Sequence, residues 1–101
     1  MQVKRVGHAL CYLDNYIYAI GGKTNDYVCT KLCERYSLND NEWEPISSLN
    51  YGRSMAGVTS FIDINGNQSI YAFFGSDSIQ ITNHTIERYV IDQGIWEVIN
   101  L

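Results

Sequence analysis

The chain has 101 residues and a net charge of −4, from 7 Lys and Arg against 11 Asp and Glu. These charges are interspersed, without the basic block or stripe that neutralises phosphates, so neither nucleic acid nor an anionic membrane surface is an expected partner. No apolar run approaches the roughly 20 residues of a membrane span, and no signal-peptide pattern opens the sequence.

In chain order, the first element spans residues 8–14, and Asp14-Asn15 then reads as a turn. The second is "YIYAIGG", residues 16–22, an apolar run that ends in two glycines. Residues 32–38 and 42–47 follow, separated by the turn signal Asn39-Asp40-Asn41. Four more segments come next, near 57–63, 69–75, 85–91 and 95–100. Asn65-Gly66 between the first two is a strong hairpin signal, because both residues tolerate positive φ. Tyr, Val, Ile, Phe and Trp dominate all eight, which is strand chemistry. No window of ten or more residues has a helical period with caps.

The second four segments repeat the first four. Ile17, Tyr18, Ala19 and Gly22 recur as Ile70, Tyr71, Ala72 and Gly75. Glu34-Arg35-Tyr36 recurs as Glu87-Arg88-Tyr89, and Trp43, Glu44 and Ile46 as Trp96, Glu97 and Ile99. Every pair is 53 positions apart, which identifies an internal repeat. Upstream the best match is 49 apart, with Tyr12-Leu13-Asp14 on Phe61-Ile62-Asp63. That offset implies a four-residue insertion between Asp63 and Ile70.

The second strand of each copy is apolar at nearly every position, so it is expected to be buried on both faces. In the third strand Leu32, Glu34, Tyr36 and Leu38 share one face. A Glu buried there needs a cationic or hydrogen-bonding partner, and Arg53 is the candidate. Each copy reads as a four-stranded antiparallel meander that requires another sheet on each face.

"HALCYLDNYIYAIGG" followed by "ERYSLNDNEWEPI" resembles a kelch repeat, in its double glycine, its Tyr two after a Glu and its Trp on the last strand. "GRSMAGVTSFIDINGNQSIYAFFG" followed by "ERYVIDQGIWEVI" resembles the next repeat. The resemblance implies an all-β fold, two four-stranded antiparallel blades of a kelch-type β-propeller, with blade 1 at residues 1–48 and blade 2 at 49–101. The second copy departs from the pattern at Phe74-Gly75, where the family has Gly-Gly, and a different turn is expected there. Two blades do not close a ring. The chain is therefore expected to be a fragment of a longer propeller, a unit that self-assembles to complete one, or an exposed pair.

Residues repeated in both copies are expected to be structural, since one active site needs one copy. His8 is expected to be buried and hydrogen-bonded, and His84 to lie on the surface. Cys11, Cys29 and Cys33 form no CxxC pair and the histidines are isolated, so no metal site, cofactor or catalytic group is expected. The thiols read as small buried groups of a reducing, cytoplasmic environment. Variable loops are the better candidates. By the resemblance, Lys23, Asn25, Asp26, Tyr27, Tyr51, Met55, Ser76 and Asp77 lie on one rim and bind a protein or peptide partner. The alternatives are a sugar-active oxidase or sialic-acid epimerase of the same architecture, and a structural or cytoskeletal scaffold.

Overall fold

The computed structural model describes residues 4–24, 28–77 and 84–99. Eight strands run in order: β1 (Ala9–Leu13), β2 (Tyr16–Ile20), β3 (Cys33–Ser37), β4 (Glu42–Ile46), β5 (Gly57–Ile62), β6 (Gln68–Phe73), β7 (Ile86–Val90) and β8 (Ile95–Ile99). They form two antiparallel four-stranded sheets, β1-β2-β3-β4 and β5-β6-β7-β8. Each sheet is a four-stranded meander in chain order, the blade arrangement that the resemblance implies.

Local chemistry explains the connections. Asp14 and Asn15 both have positive φ, 51° and 65°, as a two-residue hairpin turn of the primed type requires. In the second blade the same connection is longer. There Asp63 Oδ1 accepts hydrogen bonds from the backbone N–H groups of Asn65 (2.8 Å) and Asn67 (3.0 Å). Gly66 supplies a φ of 83°.

The strand register corrects the length of the insertion. Ala9 lies opposite Ile20, and Gly57 lies opposite Phe73. Ile20 and Phe73 are 53 positions apart but Ala9 and Gly57 are 48 apart, so the insertion is five residues and not four. A slip of one residue sends every side chain of a strand to the other face. The chemical match of Tyr12 to Phe61 therefore misleads: Tyr12 occupies the register position of Ser60, and Leu13 that of Phe61.

The blades pack through one face each. Leu13, Tyr18, Ile20 and Cys33 of the first meet Ile70, Ala72, Tyr89 and Trp96 of the second, with Leu49 from the connecting segment. Tyr18 and Tyr89 approach with ring centroids 6.5 Å apart. Trp96 Nε1 donates across the joint to the carbonyl of Ser47 at 3.0 Å. Leu13, Ile20, Leu49 and Ile70, buried there, contribute about 1.5–3 kcal/mol each of hydrophobic stabilisation. Burial of the second strands is less even than their composition suggests. In β2, Tyr18, Ala19 and Ile20 are buried but Tyr16 and Ile17 only half so; in β6, Tyr71 and Phe73 are half-buried. Ile17, Tyr71 and Phe73 lie on the faces turned away from the joint, whereas Tyr16 is on the joint face at the end of its strand.

Phe74 also behaves differently from expectation. Its φ is 55°, close to the 66° of Gly21 at the equivalent position. The turn keeps its shape, and Phe74 carries the steric cost that glycine avoids, about 1–2 kcal/mol.

Candidate binding rim

Both blades turn at the end of their second strand, and the segments that enter the blades run beside those turns. Gly22 N–H donates to the Arg53 carbonyl at 2.8 Å. A Cβ on Gly21 would stand 2.4 Å from that same oxygen, so the close approach requires glycine. After the turn, Lys23 exchanges backbone hydrogen bonds with Val6, at 2.7 and 2.9 Å. Ser76 does the same with Ser54 in the second blade, at 2.8 and 3.0 Å. Met55 N–H then reaches the carbonyl of Gly7 at 2.8 Å, which joins the two entering segments. Cys29 Sγ lies 3.2 Å from the carbonyl of Ser76 and 3.6 Å from Ser54 Oγ, closing the set.

These bonds bring Lys23, Met55 and Ser76 onto one rim, with Asp77 next in the chain. Lys23, Ser76 and Asp77 are half-buried, whereas Met55 is 77% exposed. Met55 also has a φ of 57°, at the register position where Gly7 has 65°. A long apolar side chain is thus held outward on backbone that favours glycine. Tyr51 is exposed, and its backbone N–H donates to Glu87 Oε2 at 3.1 Å. Asn25, Asp26 and Tyr27 lie outside the described residues.

Two buried arginines support the rim. Arg53 Nη2 meets Glu87 Oε2 at 2.8 Å with both side chains fully buried. Its Nη1 donates to the carbonyls of Phe74 and Thr85, each at 3.0 Å. Arg5 repeats this in the first blade, with Glu34 Oε2 at 2.9 Å and the carbonyls of Gly21 and Leu32 at 2.9 and 2.6 Å. The carboxylate of Glu34 is therefore neutralised by Arg5; Arg53, the candidate from sequence, serves Glu87. Arg5 lies 48 positions before Arg53, the offset of the true register. The offset of 49 sets Arg5 against Ser54, which conceals the repeat.

The remaining candidates are quiet. His8 is half-buried, and its Nδ1 is shielded without a hydrogen bond, unlike the bonded role expected. His84 is exposed. Burial pushes the Cys33 thiol up to about 12 and the Cys11 thiol up to about 11, away from reactivity. Among the described residues no group of three His, Cys, Asp or Glu is placed to hold a metal ion. No helix among them is long and apolar enough to cross a membrane.

A family model of the kelch motif matches residues 4–50. Kelch-like protein 40 of Xenopus laevis is 33% identical over 94 residues, 93% of this chain. The chain belongs to the kelch-repeat family. Kelch repeat and BTB domain-containing protein 2 of Cowpox virus (strain Brighton Red) is 29% identical over 94% of the chain. Kelch-like protein 25 of Rattus norvegicus is 32% identical over 59% of it. This kelch chain spans a small part of these relatives, 14% of the Xenopus laevis protein, 19% of the viral one and 12% of the rat one.

Proposed function

We propose that this kelch chain is a non-enzymatic interaction module that binds a peptide or protein segment across the rim of Lys23, Met55, Ser76 and Asp77. Each repeat, divided near residue 48, contributes one loop to that rim. The carrying observation is Met55, 77% exposed at a φ of 57° and fixed through its backbone to Gly7. An exposed, adaptable thioether suits a binding surface. Lys23 and Asp77 supply charges of both signs in the two loops that follow the glycine turns, which favours a polar segment with one apolar anchor. Tyr51 and Tyr27 are proposed to extend the contact, because aromatic side chains dominate interface energetics. A relative named for a BTB domain beside its kelch repeats fits an adaptor role for the parent protein.

The experiment is selection of peptide ligands from a random displayed library, followed by affinity measurement on variants. Met55→Asp and Lys23→Glu are expected to weaken the selected peptides about 10-fold or more each. Phe61→Asp, on the sheet face away from the joint, is expected to leave them unchanged. Equal affinity for all three variants contradicts the rim.

A further inference from the structure

The sequence holds one Asn-Gly pair, Asn65-Gly66, and the fold sets it at the tip of the β5–β6 hairpin with both residues exposed. Where glycine follows asparagine, the backbone nitrogen of the glycine can attack the side-chain carbonyl carbon. Glycine permits this because it has no Cβ to crowd the approach. A Cβ on Gly66 would meet nothing within 4 Å, so the surroundings leave the loop open there as well. Other asparagines are held more firmly. Asn50 Nδ2 donates to Glu87 Oε1 and to the Trp96 carbonyl, each at 3.0 Å, and the bulky Tyr51 follows it. Asn67 Nδ2 donates to Asp63 Oδ2 at 3.2 Å.

One side chain closes the loop that carries the pair. Asp63 Oδ1 accepts the backbone N–H groups of Asn65 and Asn67, at 2.8 and 3.0 Å. The bond from Asn67 above all holds the Asp63 carboxyl below its ordinary value, so it is a carboxylate at neutral pH. Asp63 N–H also reaches the Asn67 carbonyl, and Gly66 N–H reaches the Asp63 carbonyl, each at 3.0 Å. The Gly66 nitrogen is thus both the attacking atom and a donor fixed in the turn. It has to give up its proton to react, so the bond to Asp63 breaks first and the loop opens locally.

We propose that Asn65 is a self-modifying site, converted to isoaspartate and aspartate through the Gly66 nitrogen, at a rate that Asp63 restrains. The Gly66 nitrogen loses its proton to water and forms a bond to Asn65 Cγ. The Cγ–Nδ2 bond breaks, and the nitrogen leaves as ammonia after taking up a proton. The product is a cyclic succinimide. Water, the only co-reactant, then opens the ring at either carbonyl. Opening at Cγ leaves aspartate. Opening at the backbone carbonyl leaves isoaspartate, whose main chain runs through Cγ. Either product sets a second carboxylate close in sequence to Asp63. Isoaspartate also lengthens the main chain by a methylene within the loop, which disrupts the turn that Gly66 closes. The hairpin tip loosens irreversibly as the protein ages, while β5 and β6 keep their pairing. This inference is independent of the rim and uses none of its residues.

Peptide mapping by mass spectrometry tests this on the whole chain, held folded at neutral pH and sampled over weeks. Radical-driven fragmentation tells isoaspartate from aspartate. Conversion is expected at Asn65 and not at Asn50. Folded Asp63→Ala is expected to convert about 10-fold faster than the wild type, because two bonds to a charged acceptor are lost. Asp63→Asn keeps a neutral acceptor in place and is expected to fall between them. Circular dichroism checks that both variants keep their strands. In urea, where the loop is gone from every chain, all three are expected to convert at one rate, and Gly66→Ala more slowly. The proposal is overturned if Asn65 of the folded wild type stays unconverted over a period in which the chain in urea converts. It is overturned equally if neither folded Asp63 variant converts faster than the wild type.

Discussion

Arg53 and Glu87 face each other at 2.8 Å with no solvent on either side chain, and Arg5 and Glu34 repeat the pair one blade earlier. Each arginine enters the blade from its leading segment, crosses to the third strand and ties down carbonyls beside the turn after the second. A charge buried this way depends on its partner. Arg53→Ala removes the countercharge of the buried Glu87 and a donor to the Phe74 and Thr85 carbonyls, and is expected to cost about 3–5 kcal/mol. Arg88→Ala removes a partly exposed pair with Glu97 and is expected to cost about 0–1 kcal/mol. Urea denaturation of the two variants checks the contrast.

Gly21 and Gly57 make a second contrast. Gly21→Ala adds a Cβ 2.4 Å from the Arg53 carbonyl at a φ of 66°. The loss is expected to exceed about 2 kcal/mol, since both the backbone angle and the joint between blades are strained. A Cβ on Gly57 would meet nothing within 4 Å, and the backbone there has no positive φ. Gly57→Ala is therefore expected to stay within about 0.5 kcal/mol of the wild type. Thermal melts of the two variants distinguish these outcomes.

The thiols set the alkaline limit of stability. Burial raises Cys11 and Cys33 from 9.0 to about 11 and about 12, and raises Tyr18 and Tyr89 above 10.0 as well. All four are neutral when protonated, so folding favours the protonated form. Their contribution is fully present below about pH 9 and is lost as pH rises towards 11 and 12. Stability is expected to hold from pH 8 to about 9 and to fall from there to pH 11, with a shallower fall in Cys33→Ala. A flat profile contradicts the assignment.

Much of this fold is legible because the repeat is written in residues whose spacing survives. Glu34 and Glu87, Tyr36 and Tyr89, and Trp43 and Trp96 share one offset and mark the third and fourth strands. The first strand is harder to read. Its side chains are mostly apolar on both faces, so Tyr12 aligns with Phe61 by chemistry while the backbone pairs it with Ser60's position. That single slip also conceals Arg5. Phe74 misleads for a different reason: a residue other than glycine can hold positive φ when flanking hydrogen bonds fix the turn, here Phe74 N–H to the Thr85 carbonyl at 3.0 Å.

At the candidate rim, loop position is readable from the glycine turns, but the bonding that gathers the loops is not. Lys23 to Val6, Ser76 to Ser54 and Met55 to Gly7 are backbone contacts that leave no mark on side-chain identity. The positive φ of Met55 is likewise invisible in the sequence, because methionine is not a residue that signals it.

The most direct measurement is an NMR titration of the isotope-labelled chain with a peptide selected from the displayed library. Saturable shifts are expected, confined to the amides of residues 6–8, 23–24, 53–56 and 76–77, with those of β4 and β8 unmoved. Shifts centred on the outer sheet faces, at Tyr36 and Trp43 or at Phe61 and Phe73, contradict a rim that binds.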